Sequence, residues 1–292
     1  MKSFVQDFTK RQYMVTPDYE FFHYSDKSTT EIELHNHDFY EVFCLISGNV
    51  TYVTEGRSYE LKSGDILLID NKDLHKPFVR PGEPYERIVI WIDPVYLKKE
   101  SVGLSDLRTC FESDKLRESH LLSSSESAMH LIWSKIWDFE RVCNSISFGS
   151  DILKRLYLIE LIVYINKAFI ESSNDETGNP RMSHDEKINE IIEYAAANLS
   201  EDLTLDHISS RFYISKYHLA RLFKKYTGFT FHRYVLEKRL MRARSLLKEG
   251  KSVSETALES GFNDYSNFIR IFKKYFNIPP KKYYRQNVQK NT

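Results

Sequence analysis

The chain has 292 residues, with 41 Lys and Arg balanced by 41 Asp and Glu, and three cysteines. That length suits two domains with a substantial core in each, and no apolar run reaches a membrane span; the best, residues 158–165, is interrupted by Glu160. Lys2, Asp7, Lys10 and Arg11 leave no apolar signal core, so a cytoplasmic protein is expected, and Cys44, Cys110 and Cys143 are too scattered for a disulfide framework or a Cys-x-x-Cys site.

The first hundred residues read as short strands punctuated by Gly and Pro turns. Phe21, Phe22 and Tyr24 open the pattern, followed by residues 32–35, 41–47, 49–54, 58–61, 66–69, 75–79 and 87–92. This spacing predicts a small β-barrel or sandwich. Within it, His35-x-His37-x3-Glu41-x6-Gly48 is followed by Gly64-Asp65, with His75 ten residues after Asp65. His35 and His37 are two apart and share a face of an extended strand, Glu41 returns to that face, and His75 converges from another strand. The two patterns resemble the signature motifs of cupin barrels, although Asp70, Lys72 and Val79 replace the Pro, Gly and terminal Asn of the second. With Trp91, these side chains are candidate effector ligands. Aromatic faces and hydrogen-bonding groups together suit a sugar or glycoside; another small organic molecule is the alternative. Three imidazoles and a carboxylate also suit a divalent first-row metal. The sequence nevertheless assigns no metal and no cofactor, since effector contacts or hydrogen bonds within the barrel mouth account for the same residues.

Two helices are expected next, over 125–143 and 150–171. In the second, Leu153, Leu156, Tyr157, Leu161 and Tyr164 recur at three-to-four spacing and suit a subunit interface. Residues 172–183 are polar and read as a linker. Ser183-x-x-Glu186 and Ser252-x-x-Glu255 are capping-box patterns.

The last ninety residues carry one helix–turn–helix pattern twice. The first copy runs through Leu205, Ile208, Ser209, Ser215, Leu219, Arg221, Phe223 and Gly228; the second through Val253, Thr256, Ala257, Asp264, Phe268, Arg270, Phe272 and Asn277. From Leu219 onward the offset is constant at forty-nine residues. An amphipathic stretch through Tyr234, Leu240 and Leu247 is long enough to join the copies as one helix. If Leu219, Leu222 and Phe223 are buried in one copy, and Phe268, Ile271 and Phe272 in the other, then Tyr217, Ala220, Arg221, Ser266, Asn267 and Arg270 face outward toward bases. Arg suits guanine, Asn suits adenine, and Ala meets a thymine methyl. Lys224, Lys225, Lys273 and Lys274 are placed for phosphates.

Charge divides in the same way. Residues 184–292 hold twenty basic against twelve acidic side chains, and residues 203–292 nineteen against six, so the chain's neutrality hides a basic carboxyl-terminal part. With the Gly261-Phe262-Asn263-Asp264 turn and the Ile278-Pro279-Pro280 tail, residues 186–285 closely resemble the DNA-binding domain of AraC/XylS-type transcription regulators. The resemblance implies an α+β multidomain chain: a cupin-like sensor over 1–120, a helical dimerisation segment over 121–171, a linker over 172–183, and an all-α DNA-binding domain over 184–292. It further implies double-stranded operator DNA, a small-molecule effector, a second copy of the chain and, for an activator, RNA polymerase as partners, with no enzymatic activity. A metal-dependent cupin enzyme bearing a DNA-binding appendage is the rival reading.

Overall fold

The computed structural model describes residues 5, 6, 12–26, 32–55, 57–80, 82, 84–113, 119–172, 182, 183 and 186–288. The chain falls into two compact units, one of residues 1–54 and 58–183, the other of residues 184–292 together with the short segment 55–57. Most of the expected linker lies outside the described residues.

The first unit is built from β1 (Tyr19–Asp26), β2 (Tyr40–Ser47), β3 (Val50–Thr54), β4 (Arg57–Leu61), β5 (Ile66–Ile69), β6 (His75–Val79), β7 (Tyr85–Ile92) and a short β8 (Met182–Ser183). They form two four-stranded sheets, ordered β1-β7-β2-β5 and β6-β3-β4-β8. One expected strand, at 32–35, is absent. His35 makes only an isolated antiparallel bridge to His75, and its Nδ1 donates to the Glu33 carbonyl at 2.8 Å.

The first sheet is buried on both faces, which explains the unbroken apolar runs of β2, β5 and β7. Phe43, Leu67, Val89 and Trp91 point into an aromatic core shared with Tyr52 and Tyr59 of the second sheet. The alternate residues Tyr40, Val42, Leu68, Ile90 and Ile92 point the other way, into a core shared with the helices. Those helices are α1 (Pro94–Glu100), α2 (Thr109–Glu112), α3 (Glu126–Cys143) and α4 (Ser150–Ser172).

Local chemistry sets their ends. Asp93 caps α1 by accepting from Val95 N and Tyr96 N, with Pro94 in the first turn, where its missing N–H costs nothing. Ser125 caps α3, and Trp133 on that helix donates from Nε1 to the Gly64 carbonyl at 2.9 Å. Asn166, buried in α4, donates to the Leu107 and Ile162 carbonyls and accepts from Cys110 N, pinning α2 to α4. All three cysteines are free, Cys44 and Cys110 buried.

The second unit is all helical: α5 (Glu186–Ala197), α6 (Leu205–Arg211), α7 (Lys216–Thr227), α8 (Phe231–Lys248), α9 (Val253–Glu259), α10 (Tyr265–Phe276) and α11 (Pro280–Val288). Thr204, Ser215, Thr230, Ser252 and Asp264 cap five of them, each cap contributing about 1 kcal/mol. The Ser252–Glu255 box forms in both directions; the Ser183 side chain lies outside the described residues. Helix α8 packs against α5, α7, α9 and α11, and so joins the two helical pairs α6–α7 and α9–α10. Gly228 and Asn277 end the second helix of each pair in the left-handed conformation, as their residue types favour. Ser209 bonds back to the Asp206 carbonyl at 3.0 Å, so a hydroxyl is tolerated there.

Candidate functional site

Two constellations stand out, one in each unit. In the helical unit, α7 and α10 are the second helices of two helix–turn–helix pairs. Leu219 and Phe223 anchor α7, packing with Phe231 and Tyr234 of α8; Phe268 and Phe272 anchor α10. Leu222 and Ile271, expected in the buried stripes, are only half-buried. They sit at the margin of each face because the tightest contacts fall at i and i+4. On the opposite faces Tyr217, Arg221 and Lys224 of α7 are exposed, as are Ser266, Arg270 and Lys273 of α10; Ala220 and Asn267 are half-exposed. Lys225 and Lys274 are exposed at the ends of the same helices. Arg270 donates to Asn267 Oδ1 at 2.7 Å, holding both side chains on the outward face. Tyr213, with a positive φ in the α6–α7 turn, is 97% exposed, an aromatic beside α7 that the repeat pattern does not single out.

In the first unit His35, His37, Glu41, His75 and Trp91 come together. The ring centroids of His75 lie 4.3 Å from His35 and 4.8 Å from His37. Each imidazole donates from Nδ1 to a main-chain carbonyl: His35 to Glu33 at 2.8 Å, His37 to Phe39 at 2.8 Å, His75 to Asp73 at 3.0 Å. In His35 and His75 those bonds fix the neutral tautomer and leave Nε2 with a lone pair, while His37 Nε2 faces Glu41 Oε2 at 3.3 Å. Burial, aided by the neighbouring His37, pulls His35 down to about 4, and burial with both other rings pulls His75 well below the ordinary histidine range. These two are therefore uncharged at neutral pH.

Glu41 stands opposite Trp91 in the β2–β7 register. Its Oε2 accepts from Trp91 Nε1 at 2.9 Å, and its Oε1 from the Tyr52 hydroxyl at 3.2 Å. Burial alone would raise this carboxyl, but His37, His35 and the Trp91 N–H more than offset it, so Glu41 stays ionised below the usual glutamate value. Tyr52, which faces Glu41 across the two sheets, gives no signal in the sequence because the pairing depends on how the sheets pack. The Trp91 ring is covered by Phe39 and Phe22, with centroids 4.5 and 4.7 Å away. It walls the cluster and donates to Glu41.

Comparison with known proteins matches both units. Residues 19–162 match the family described as the AraC-like ligand binding domain, and residues 208–286 match a helix-turn-helix domain. A sensor-type β unit followed by a paired helix–turn–helix unit defines a DNA-binding transcription regulator with a ligand-binding domain. The chain belongs to the AraC family. It is 25% identical over 249 residues to the HTH-type transcriptional activator RhaS of Salmonella arizonae, covering 85% of each chain. It is 32% identical over 161 residues to the regulatory protein PocR of Salmonella typhimurium, covering 53% of this chain and 52% of that one. Among solved structures, an AraC-type regulator from Chromobacterium violaceum aligns with 36% of this chain and 94% of its own at 36% identity, TM-score 0.33. RhaS and PocR are described as a transcriptional activator and a regulatory protein, respectively. Among the described residues no helix is long and apolar enough to cross a membrane.

Proposed function

We propose that this regulator reads operator DNA with the outward faces of α7 and α10, and binds a small organic effector, a sugar or glycoside, at the His35–His37–Glu41–His75–Trp91 cluster. The observation that carries the proposal is the pairing of a doubled reading helix with a buried polar cluster. Two copies of one reading unit, each capped, anchored by aromatics and bearing an outward Arg, fit successive major grooves. Buried imidazoles and a carboxylate walled by aromatic rings form a setting in which hydroxyls gain directional partners and apolar ring faces gain contact.

Helix α4 supports a homodimer. Its buried face carries Leu158, Leu161, Ile162 and Ile165, yet Ile152, Leu153, Leu156 and Ile170 remain exposed on the same helix. An apolar side facing solvent suits a second copy of the chain. The domain scheme carries the rest: residues 1–120 sense, 121–171 dimerise, 172–183 link, and 184–292 bind DNA. RNA polymerase is the further partner if the protein activates.

The test is operator affinity of the full chain, with and without a panel of sugars and glycosides, alongside the same measurement for Glu41→Gln. The effector should change operator affinity in the wild type and lose that effect in the variant. Operator binding that ignores every sugar in the panel would remove the carbohydrate assignment, and absence of sequence-specific binding would remove the regulator reading.

A further inference from the structure

The turns that join α6 to α7 and α9 to α10 follow the same path and differ at one residue. Phe212 and Ser260 end the first helix of each pair with nearly the same φ and ψ. The next residue is left-handed in both, Tyr213 at φ +52° and Gly261 at φ +83°. The residue after it closes the turn with the same hydrogen bond, from Ile214 N to the Ser209 carbonyl at 3.0 Å and from Phe262 N to the Ala257 carbonyl at 2.9 Å. All these positions are forty-eight residues apart, so the turns are equivalent, and one has tyrosine where the other has glycine. Glycine adopts this conformation freely, whereas a bulky side chain is strained in it. Packing does not compensate, because Tyr213 is 97% exposed. Gly261 has a second reason to lack a side chain, since a Cβ there would overlap the Leu199 carbonyl. At Tyr213 the side chain stands in solvent and is kept at the expense of the fold.

We propose that Tyr213 contacts the sugar–phosphate backbone of the operator at the edge of the groove that α7 enters, its hydroxyl donating to a phosphate oxygen and its ring lying on deoxyribose. The proposal rests on the reading of α7 given above and adds a contact outside that helix. In a helix–turn–helix the first helix crosses the backbone and the second lies in the major groove, so the turn between them passes beside the strand. Tyrosine hydroxyls are among the groups that bind phosphate, and such bonds fix the position of the reader without carrying sequence information. Charge selects the same partner. From 207 to 236 the chain has six Lys and Arg and no Asp or Glu, and Tyr213 stands near the start of that stretch. Tyr217, in the first turn of α7, is 88% exposed, so a second tyrosine extends the surface past the Ser215 cap. Gly261 offers no counterpart, and the first helix pair is thus pinned to DNA by a contact that the second lacks.

A duplex selected by the full-length wild-type protein from random sequence serves as operator, and stability is followed by urea unfolding with far-UV circular dichroism. Tyr213→Gly should raise the unfolding midpoint of the helical unit and weaken operator binding about tenfold, roughly the worth of one hydrogen bond with its ring contact. Tyr213→Ala keeps the strain and loses the contact, so it should bind as weakly as Tyr213→Gly without the gain in stability. Tyr213→Phe keeps the ring and should fall between these and the wild type. The loss should be the same on duplexes altered at single base pairs, and the slope of log affinity against log salt should match the wild type, since no cation is removed. Lys224→Ala should instead reduce that slope by about 1. Wild-type affinity in Tyr213→Ala overturns the contact, whatever Tyr213→Gly does. A loss confined to one base pair overturns the assignment to the backbone, and a midpoint no higher in Tyr213→Gly than in the wild type overturns the strain. Arg221→Ala separates this inference from the reading it rests on. If Arg221→Ala weakens binding and the Tyr213 variants do not, only the tyrosine contact fails; if none of them changes binding, the reading of α7 fails. A selection that enriches no duplex removes the regulator reading and this contact with it.

Discussion

Gly261 closes the turn between α9 and α10, and replacing it with Ala tests how that turn is held. Its φ is +83°, and a Cβ there would overlap the Leu199 carbonyl and the Arg239 side chain. The left-handed conformation costs an alanine about 1–2 kcal/mol. The overlap adds more, because Arg239 donates to Leu199 O at 2.9 Å and to Glu201 O at 2.8 Å, tying α8 to the segment after α5. Losing one charge-assisted bond of this kind costs about 1.5–3 kcal/mol. Gly261→Ala should therefore destabilise the helical unit by about 2.5–5 kcal/mol, the sum of the two effects. Gly250, in the same unit, has φ +89°, and a Cβ added to it would meet nothing within 4 Å. Gly250→Ala should accordingly lose only about 1–2 kcal/mol. Urea unfolding followed by far-UV circular dichroism measures both. Trp91, Trp133 and Trp137 all lie before Ser183, so tryptophan fluorescence follows the other unit separately. Equal losses in the two variants would refute the steric part of the reasoning, and a Gly261→Ala protein as stable as wild type would refute all of it.

Arg221→Ala and Arg270→Ala should each cost about 1–3 kcal/mol of operator affinity and relax preference at one base position; unchanged footprints in both would remove the assignment. Leu156→Glu, on the exposed side of α4, should shift a dimer to monomer in analytical ultracentrifugation, and an unaltered sedimentation coefficient would place the interface elsewhere. His23 bonds Glu140 at 2.6 Å and Glu86 at 2.9 Å; burial depresses its pKa, but the two carboxylates outweigh that and raise it above the ordinary value. Its stabilisation is thus full below the unfolded-state pKa and lost as pH rises through the higher folded one. His23→Gln should flatten that part of the stability–pH curve, and a curve of unchanged shape would contradict it. Asp70, pushed up to about 7 by burial and then by Asp73, favours the fold while protonated, so stability falls as pH rises from its unfolded value of 3.8 to about 7. Asp70→Asn should stabilise the protein at pH 8 and not at pH 3.5, as thermal melts at both would show.

Much of this was legible in the sequence where local chemistry decides. The repeat offset, the capping residues and the turn residues Gly228 and Asn277 all act within a few residues of themselves, and the helical unit follows them closely. Seven of the eight expected strands form; at 32–35 the chain makes only the single His35–His75 bridge. Helix α1 escaped the periodicity, although Asp93-Pro94 is a cap followed by a first-turn proline and carries the signal. The cluster of His35, His37, Glu41, His75 and Trp91 was legible as a set but not in its internal bonding. Tyr52 reaches Glu41 only because two sheets pack, and Arg87, buried between Tyr24 and Tyr85 and paired with Asp26, likewise depends on contacts remote in the chain.

The two-faced burial of the first sheet gives the polar cluster mechanical reach. Glu41 and Trp91 are cross-strand neighbours, and one residue along on each strand, Tyr40 and Ile92 are paired on the reverse face against the helical layer. A pleated strand cannot move one row of side chains without moving the other, and close-packed neighbours on both sides leave no slack to absorb the shift. A pull on the Glu41–Trp91 pair is thus delivered, a strand's thickness away, to Tyr40, which stacks on Phe111 and donates to Glu112 of α2. The sheet works as a diaphragm, with chemistry on one side and helices on the other.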